Sequence, residues 1–317
     1  MRLALLHLDD ALDLQRDFVR ACERAGARSM RLEEEALAIR LWGKQRSLDQ
    51  FSAALMKQLK TEKTESRLVF MGSGDFHHLT TYLLGAALEY RSEPVTVVHV
   101  DNHPDWVKFE NGVHCGSWIN RALEYSKVVK LITLGVCSHD LRRPEGKAAD
   151  LTLLAHGRHE LYPYDHAPSR VKRDYGSGAS FEQKDGALCW KTIRSLGEEN
   201  FIDHLLSRIE TKAVYLTVDK DVLCKEDAAT NWDQGCMRLP YLLSLIREIG
   251  ARHTIVGADI CGDYSSPRYS GNPWTQISKH AEILLDQPIR SPDAAHAVKI
   301  NSAANHALLE VLSEAMP

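Results

Sequence analysis

The stretch VVHVDNHPDW, residues 97 to 106, decides how the chain is read. An apolar, β-branched run passes directly into Asp101, His103 and Asp105, three ligand-type side chains at alternate positions. In extended chain these three project to one side and Asn102 and Pro104 to the other. A strand that delivers carboxylate and imidazole groups from its carboxyl end is a common way for α/β proteins to build a metal or substrate site. YLTVDKDVL, residues 215 to 223, repeats the pattern with Asp219 and Asp221. Two carboxylates that close repel unless a cation lies between them. The repetition makes a two-metal hydrolase the leading expectation.

Outward from these motifs, strand-type runs recur: LALLHL at 3 to 8, RLVFMG at 67 to 72, VTVVHV at 95 to 100, KLITLGV at 130 to 136, AVYLTV at 213 to 218 and TIVGADI at 254 to 260. They are continuous rather than alternating, as in parallel strands covered on both faces. Helical patterns lie between several of them. Leu14, Phe18 and Cys22 recur every fourth residue, with Gly26 as a stop. Phe201, Ile202, Leu205, Leu206 and Ile209 form a second stripe, and a third helix opens at Pro240 and closes at Gly250. Residues 301 to 317 read as a capped terminal helix. The fold class expected is α/β: one three-layer α/β/α domain over residues 1–317 with a mostly parallel central sheet. Residues 138–200, rich in charge, Gly and Pro, read as a surface excursion.

The bulk properties exclude some partners. The chain of 317 residues is 44% hydrophobic, enough for a large core, and its net charge of −4 shows no long run of one sign. Neither nucleic acid nor an acidic membrane surface is expected; a small neutral or cationic ligand is. No apolar run reaches about eighteen residues, and Asp9 and Asp10 come too early for a secretory segment, so the expected location is cytoplasmic. Seven cysteines without a CxxC pair read mainly as buried small hydrophobes.

Two further motifs join the ligand set. FMGSGDFHHL presents Asp75, His77 and His78 after a Gly-rich turn, and GVHCGSWI places His114, a candidate proton donor or shuttle, just beyond the DNHPD segment. An oxygen-dominated site with a minority of nitrogen favours manganese or magnesium over zinc, and two such ions about 3.5–4 Å apart hold a water as hydroxide. Trp232 and Trp274 stand near the expected pocket loops.

In this order the motifs GSGDFHH, DNHPD, VHCG, LTVDKD and GADICGD resemble the ureohydrolase superfamily of arginase, agmatinase and formimidoylglutamase, over about residues 67 to 267. The resemblance implies an arginase-like fold, two Mn2+ ions and a small-molecule guanidino, amidino or formimino substrate whose linear C–N bond is hydrolysed by a bridging hydroxide. It assigns His77 to one ion, with His78 as the alternative because Phe76 is an extra residue in the turn. Asp101 and Asp219 would bridge, Asp105 would join His77, and His103 and Asp221 would hold the second ion. His114 resembles the loop histidine that shuttles protons, and Asp221 would also stabilise the intermediate. Where the family places a Glu after DI(V/M), this chain has Gly262, followed by Asp263 as a possible substitute. A homo-oligomer is a further implication. The alternatives are a single-metal amide hydrolase of the same architecture and a non-catalytic binding protein.

Overall fold

The computed structural model describes residues 1–59, 66–288 and 291–316. Its central sheet is built from β1 (Arg2–His7), β2 (Arg28–Arg31), β3 (Arg67–Phe70), β4 (Val95–Val100), β5 (Val128–Leu134), β6 (His159–Tyr162), β7 (Ala213–Asp219) and β8 (Thr254–Cys261). Their spatial order is β2-β1-β3-β8-β7-β4-β5-β6, with every pairing parallel. The longer helices are α1 (Arg16–Arg24), α2 (Gln45–Leu59), α3 (Thr80–Leu88), α4 (Glu198–Arg208), α5 (Leu239–Arg252), α6 (Pro273–Asp286) and α7 (Ala294–Ala315).

The continuous apolar strands serve two cores. Val98, Val100, Leu216 and Val218 face α1, α4, α5 and α7 through Phe18, Phe201, Leu205, Leu242, Ile246 and Leu308. Their strand neighbours Val95, Val97, Ala213 and Tyr215 face α2 and α3 through Phe51, Leu55, Leu83 and Leu84. This alternation is the three-layer α/β/α arrangement, and each such buried Leu or Phe contributes about 1.5–3 kcal/mol. By the same alternation His99, Asp101, Thr217 and Asp219 belong to the α2 and α3 side.

Several local expectations are corrected. Leu14 is 49% exposed and precedes α1, so that helix buries only Phe18 and Cys22. α5 runs past Gly250 to Arg252; a Cβ at Gly250 would lie 2.6 Å from Ala315 Cβ, so Gly250 serves close packing on α7 rather than termination. The terminal helix begins at Ala294, where Asp293 accepts from the His296 amide. Within 138–200, residues 159–162 are the edge strand β6, and Ser169–Arg170, Phe181–Lys184 and Ala187–Trp190 form a small antiparallel sheet. Leu161, Phe181 and Leu188 share a third core with Trp106, which anchors the end of the DNHPDW segment.

Candidate metal centre

Strand register brings the motifs together. Val100 of β4 is paired with Val218 of β7, so Asp101 and Asp219 leave adjacent strand ends about 4.8 Å apart. From the other side β3 delivers the turn at Gly74–Leu79, in which Gly74 approaches so closely that a Cβ there would lie 2.5 Å from Asp219 Oδ2. His77 Nδ1 stands 3.0 Å from Asp101 Oδ2, 3.3 Å from Asp105 Oδ2 and 3.7 Å from Asp219 Oδ2. His103 Nδ1 stands 2.9 Å from Asp221 Oδ2 and 3.6 Å from Asp101 Oδ1. Asp101 is common to both groups. Asp105 reaches the site through a left-handed backbone conformation, φ 47°, a strained geometry that local structure must maintain. His78 is buried outside these groups, so of the two candidates it is His77 that meets the carboxylates.

The hydrogen-bond network fixes which nitrogen of each ring faces inward. Thr217 donates its only hydroxyl proton to Asp259 (2.7 Å) and therefore accepts from His77 Nε2 (2.9 Å). That leaves His77 Nδ1 facing three carboxylates. His103 Nε2 is likewise engaged by Asp233 (2.8 Å), leaving its Nδ1 toward Asp221 and Asp101. Tyr215 also donates to Asp259, and Trp118 Nε1 holds Asp105 Oδ2 at 2.7 Å. Backbone amides turn the carboxylates: His103 N donates to Asp101 Oδ1 and Asp221 N to Asp219 Oδ1. An imidazole with its far nitrogen held by a polar partner is the usual preparation for a metal ligand.

The electrostatics agree with a cation-seeking site. Burial, then the Asp101 charge, pushes Asp219 up to about 6 and raises Asp221 and Asp105 as well. Burial opposes ionisation of Asp101 too, but contacts with His103, His77 and His99 hold it well below the ordinary carboxylate range. His77 is raised despite complete burial, because Asp101 and Asp105 flank it. Such crowding of like charge is relieved by positive charge placed between the carboxylates. The donor set, two inward imidazole nitrogens and four carboxylates, fits a pair of divalent ions.

Several participants are not evident in the motifs. His99 lies within the apolar run of β4, with Nε2 2.9 Å from Asp101 Oδ2 and Nδ1 3.0 Å from Thr133, which continues to His159 Nε2 at 2.8 Å. Its position two residues before Asp101, on the same strand face, is the signal that could have found it. Asp259 is the Asp of GADIC, Asp233 lies in the loop before α5, and Glu282 lies on α6. His114 lines the cavity but is outside the carboxylate groups: Nδ1 accepts from the Gly116 amide and Nε2 contacts Glu282 Oε1 at 2.7 Å.

Asp263 does not reach the cavity. It is buried, accepts from Lys220 Nζ and from Asn305, and therefore cannot meet a substrate in this arrangement. Gly262 has φ +94°, and a Cβ there would fall 2.4 Å from the Lys220 amide nitrogen, leaving no room for the Glu of the family pattern. The cavity above the carboxylates, about 210 Å³, is walled instead by Pro104, Trp106, Val107 and Trp232, with Asp140, Lys147 and Asp286 toward one side. Trp232 is held by Asp75 (2.9 Å) and meets the His103 ring edge-on at 5.6 Å. Trp274, the other tryptophan expected near the pocket loops, is 80% exposed and does not line it.

Fold and cluster together define an α/β/α protein of the ureohydrolase kind. The pattern described as "Arginase family" matches residues 9–164, just under half of the chain, which over that span is similar to this family within the ureohydrolase superfamily. An uncharacterised protein of Thermotoga maritima is 26% identical over 196 residues, an alignment covering 62% of this chain and 58% of that protein. Among solved structures, arginase from Bacillus cereus superimposes with a TM-score of 0.61 at 13% identity over 98% of both chains. Formimidoylglutamase from Bacillus subtilis gives 0.58 at 14% identity, covering 99% of this chain and 87% of its own. At these identities the structural likeness establishes the fold.

Proposed function

We propose that the chain is a binuclear manganese hydrolase of a linear C–N bond in a small guanidino, amidino or formimino compound, working in the cytoplasm. The observation that carries this reading is the pair of imidazole nitrogens, His77 Nδ1 and His103 Nδ1, whose far nitrogens are held and which converge with Asp101, Asp105, Asp219 and Asp221. His77 and Asp105 would hold one ion, His103 and Asp221 the other, with Asp101 and Asp219 between. When bound, the ions supply Lewis acidity and an activated water at neutral pH. Asp233 keeps His103 in the binding tautomer, and Thr217 does the same for His77. His114, paired with Glu282 at the wall, is placed to carry a proton between the cavity and solvent. Trp106, Val107 and Trp232 shield the reacting carbon from bulk water.

Recognition of the substrate cannot use the Gly262–Asp263 position, so we assign it to the cavity rim, where Asp140 and Asp286 outnumber Lys147 and favour a cationic compound. Among the described residues no helix is long and apolar enough to cross a membrane, which suits a protein acting on small dissolved molecules. The test is metal content by plasma mass spectrometry after manganese loading, followed by urea, ammonia and amine release across a panel of guanidino, amidino and formimino compounds. About two manganese per chain is expected. One would favour a single-metal amide hydrolase; none would exclude metal-dependent catalysis.

A further inference from the structure

α6 is amphipathic in the inverse sense. A surface helix normally turns its apolar stripe to the core, yet the only buried residue of α6 is Lys279, and its inward contacts are polar. Lys279 Nζ donates to the Ala38 carbonyl and lies over the Trp42 ring, Glu282 accepts from Trp42 Nε1 and contacts His114, and Asp286 pairs with Lys147. The outward face carries Trp274, Ile277, Leu284 and Leu285, exposed by 80%, 60%, 66% and 82%. Together with Ala281 they form one stripe at helical spacing, without a charged residue. The other exposed large apolar residues among those described are scattered and none exceeds 49%.

We propose that this stripe is the self-association surface of the protein, pairing two copies through antiparallel α6 helices about a twofold axis. The spacing is self-complementary. Trp274 and Leu284 are equally distant from position 279, as are Ile277 and Ala281. An antiparallel pair centred there sets the large indole against Leu284 and Leu285 of the other copy, and Ile277 against the small Ala281. This is the isologous matching a twofold dimer requires. In area, the stripe amounts to roughly 500–600 Å², the size of the largest apolar patch on a typical monomer. Two such stripes would remove about 1,000–1,200 Å² from water, enough to clear the lower bound for a specific interface. The absence of charge gives neither an anionic membrane nor a charged peptide anything to recognise.

Sedimentation velocity of the full chain up to about 100 µM tests the pairing, with circular dichroism melts as a folding control. Wild type should be dimeric or a multiple of a dimer, while Trp274→Glu and Leu285→Lys should each weaken association about tenfold or more, as loss of a central anchor does. Combined in one chain, the two substitutions should restore association, because the antiparallel register sets the new carboxylate against the new ammonium. A monomeric wild type, association indifferent to either single change, or failure of the double variant to recover overturns the proposal. So would a monomer that floats with phosphatidylcholine vesicles, which would assign the stripe to a lipid surface.

Discussion

The carboxyl ends of β4 and β7 and the adjoining end of β8 are three neighbouring ledges of one sheet, yet they are built to opposite purposes. At the first two, Asp101, Asp105, Asp219 and Asp221 are turned inward by backbone amides or Trp118, and the two imidazoles among them have their outer nitrogens held. At the end of β8 the backbone bends away at Gly262 and Asp263 is spent on a buried pair with Lys220, which also donates to Asn305. The half that would hold metal keeps its form. On the reading proposed above, substrate would be gripped instead by the loop before α5, the 138–147 segment and the inner edge of α6.

Removing a member of one ledge should therefore have a different signature from removing a member of the other. The largest effect is expected for Asp101→Ala, the residue common to both ligand groups: manganese binding and turnover should both disappear, while the melting temperature of the metal-free protein changes little or rises as charge repulsion is relieved. Normal activity in that variant would refute the metal assignment. Asp263→Ala should do the reverse. It leaves the buried Lys220 ammonium without its counter-charge, a change that costs about 3–5 kcal/mol in such pairs, and it should leave manganese stoichiometry intact in the folded protein. Denaturant unfolding with metal analysis on the same samples separates the two; metal loss at unchanged stability in Asp263→Ala would return that residue to the site.

A smaller effect is expected at Thr217, which touches His77 without facing the cavity. Thr217→Val keeps the shape and removes the hydroxyl that accepts from His77 Nε2, so the ring loses the partner that fixes its orientation. Manganese affinity should fall about 10–100-fold, the range for loss of a ligand's supporting hydrogen bond, with full stoichiometry recovered at high metal. An unchanged dissociation constant by titration calorimetry would show that packing alone orients the ring.

Much of the candidate metal half is legible in the sequence because its carboxylates follow directly on apolar strand runs. The uninterrupted runs before Asp101 and Asp219 announce neighbouring buried strands, whereas Asp105 joins Asp101 through a left-handed backbone conformation beyond the end of β4 rather than by strand alternation. The rest depends on contacts that no local pattern encodes. His99 hides in an apolar run, Asp233 sits in a loop whose course is set by Asn102, and Glu282 belongs to a helix whose inward face is its polar one. Asp263 misleads for a related reason: its chemistry suits a cationic substrate, but the left-handed turn at Gly262 and the buried Lys220 decide where it points.

The buried histidines extend the contrast and give the smallest effect. His77 and His103 face carboxylates, and both are raised despite burial. His159, at the far end of the His99 and Thr133 chain, has no such partner, and burial pushes it down to about 3. Its unfolded value is near 6.5. The unfolded chain therefore binds a proton that the native state refuses, and stability that is complete above about pH 6.5 is lost as the pH falls toward about 3, by at most about 1.4 kcal/mol per pH unit for this one group. In His159→Gln, which keeps a donor toward Thr133, the decline of melting temperature between about pH 6.5 and 4.5 should be shallower by one proton's worth, because only His7, His78 and other groups still titrate. Superimposable pH profiles would mean that His159 takes up its proton in the folded state, and that the imidazoles behind the metal half are no less tolerant of charge than those within it.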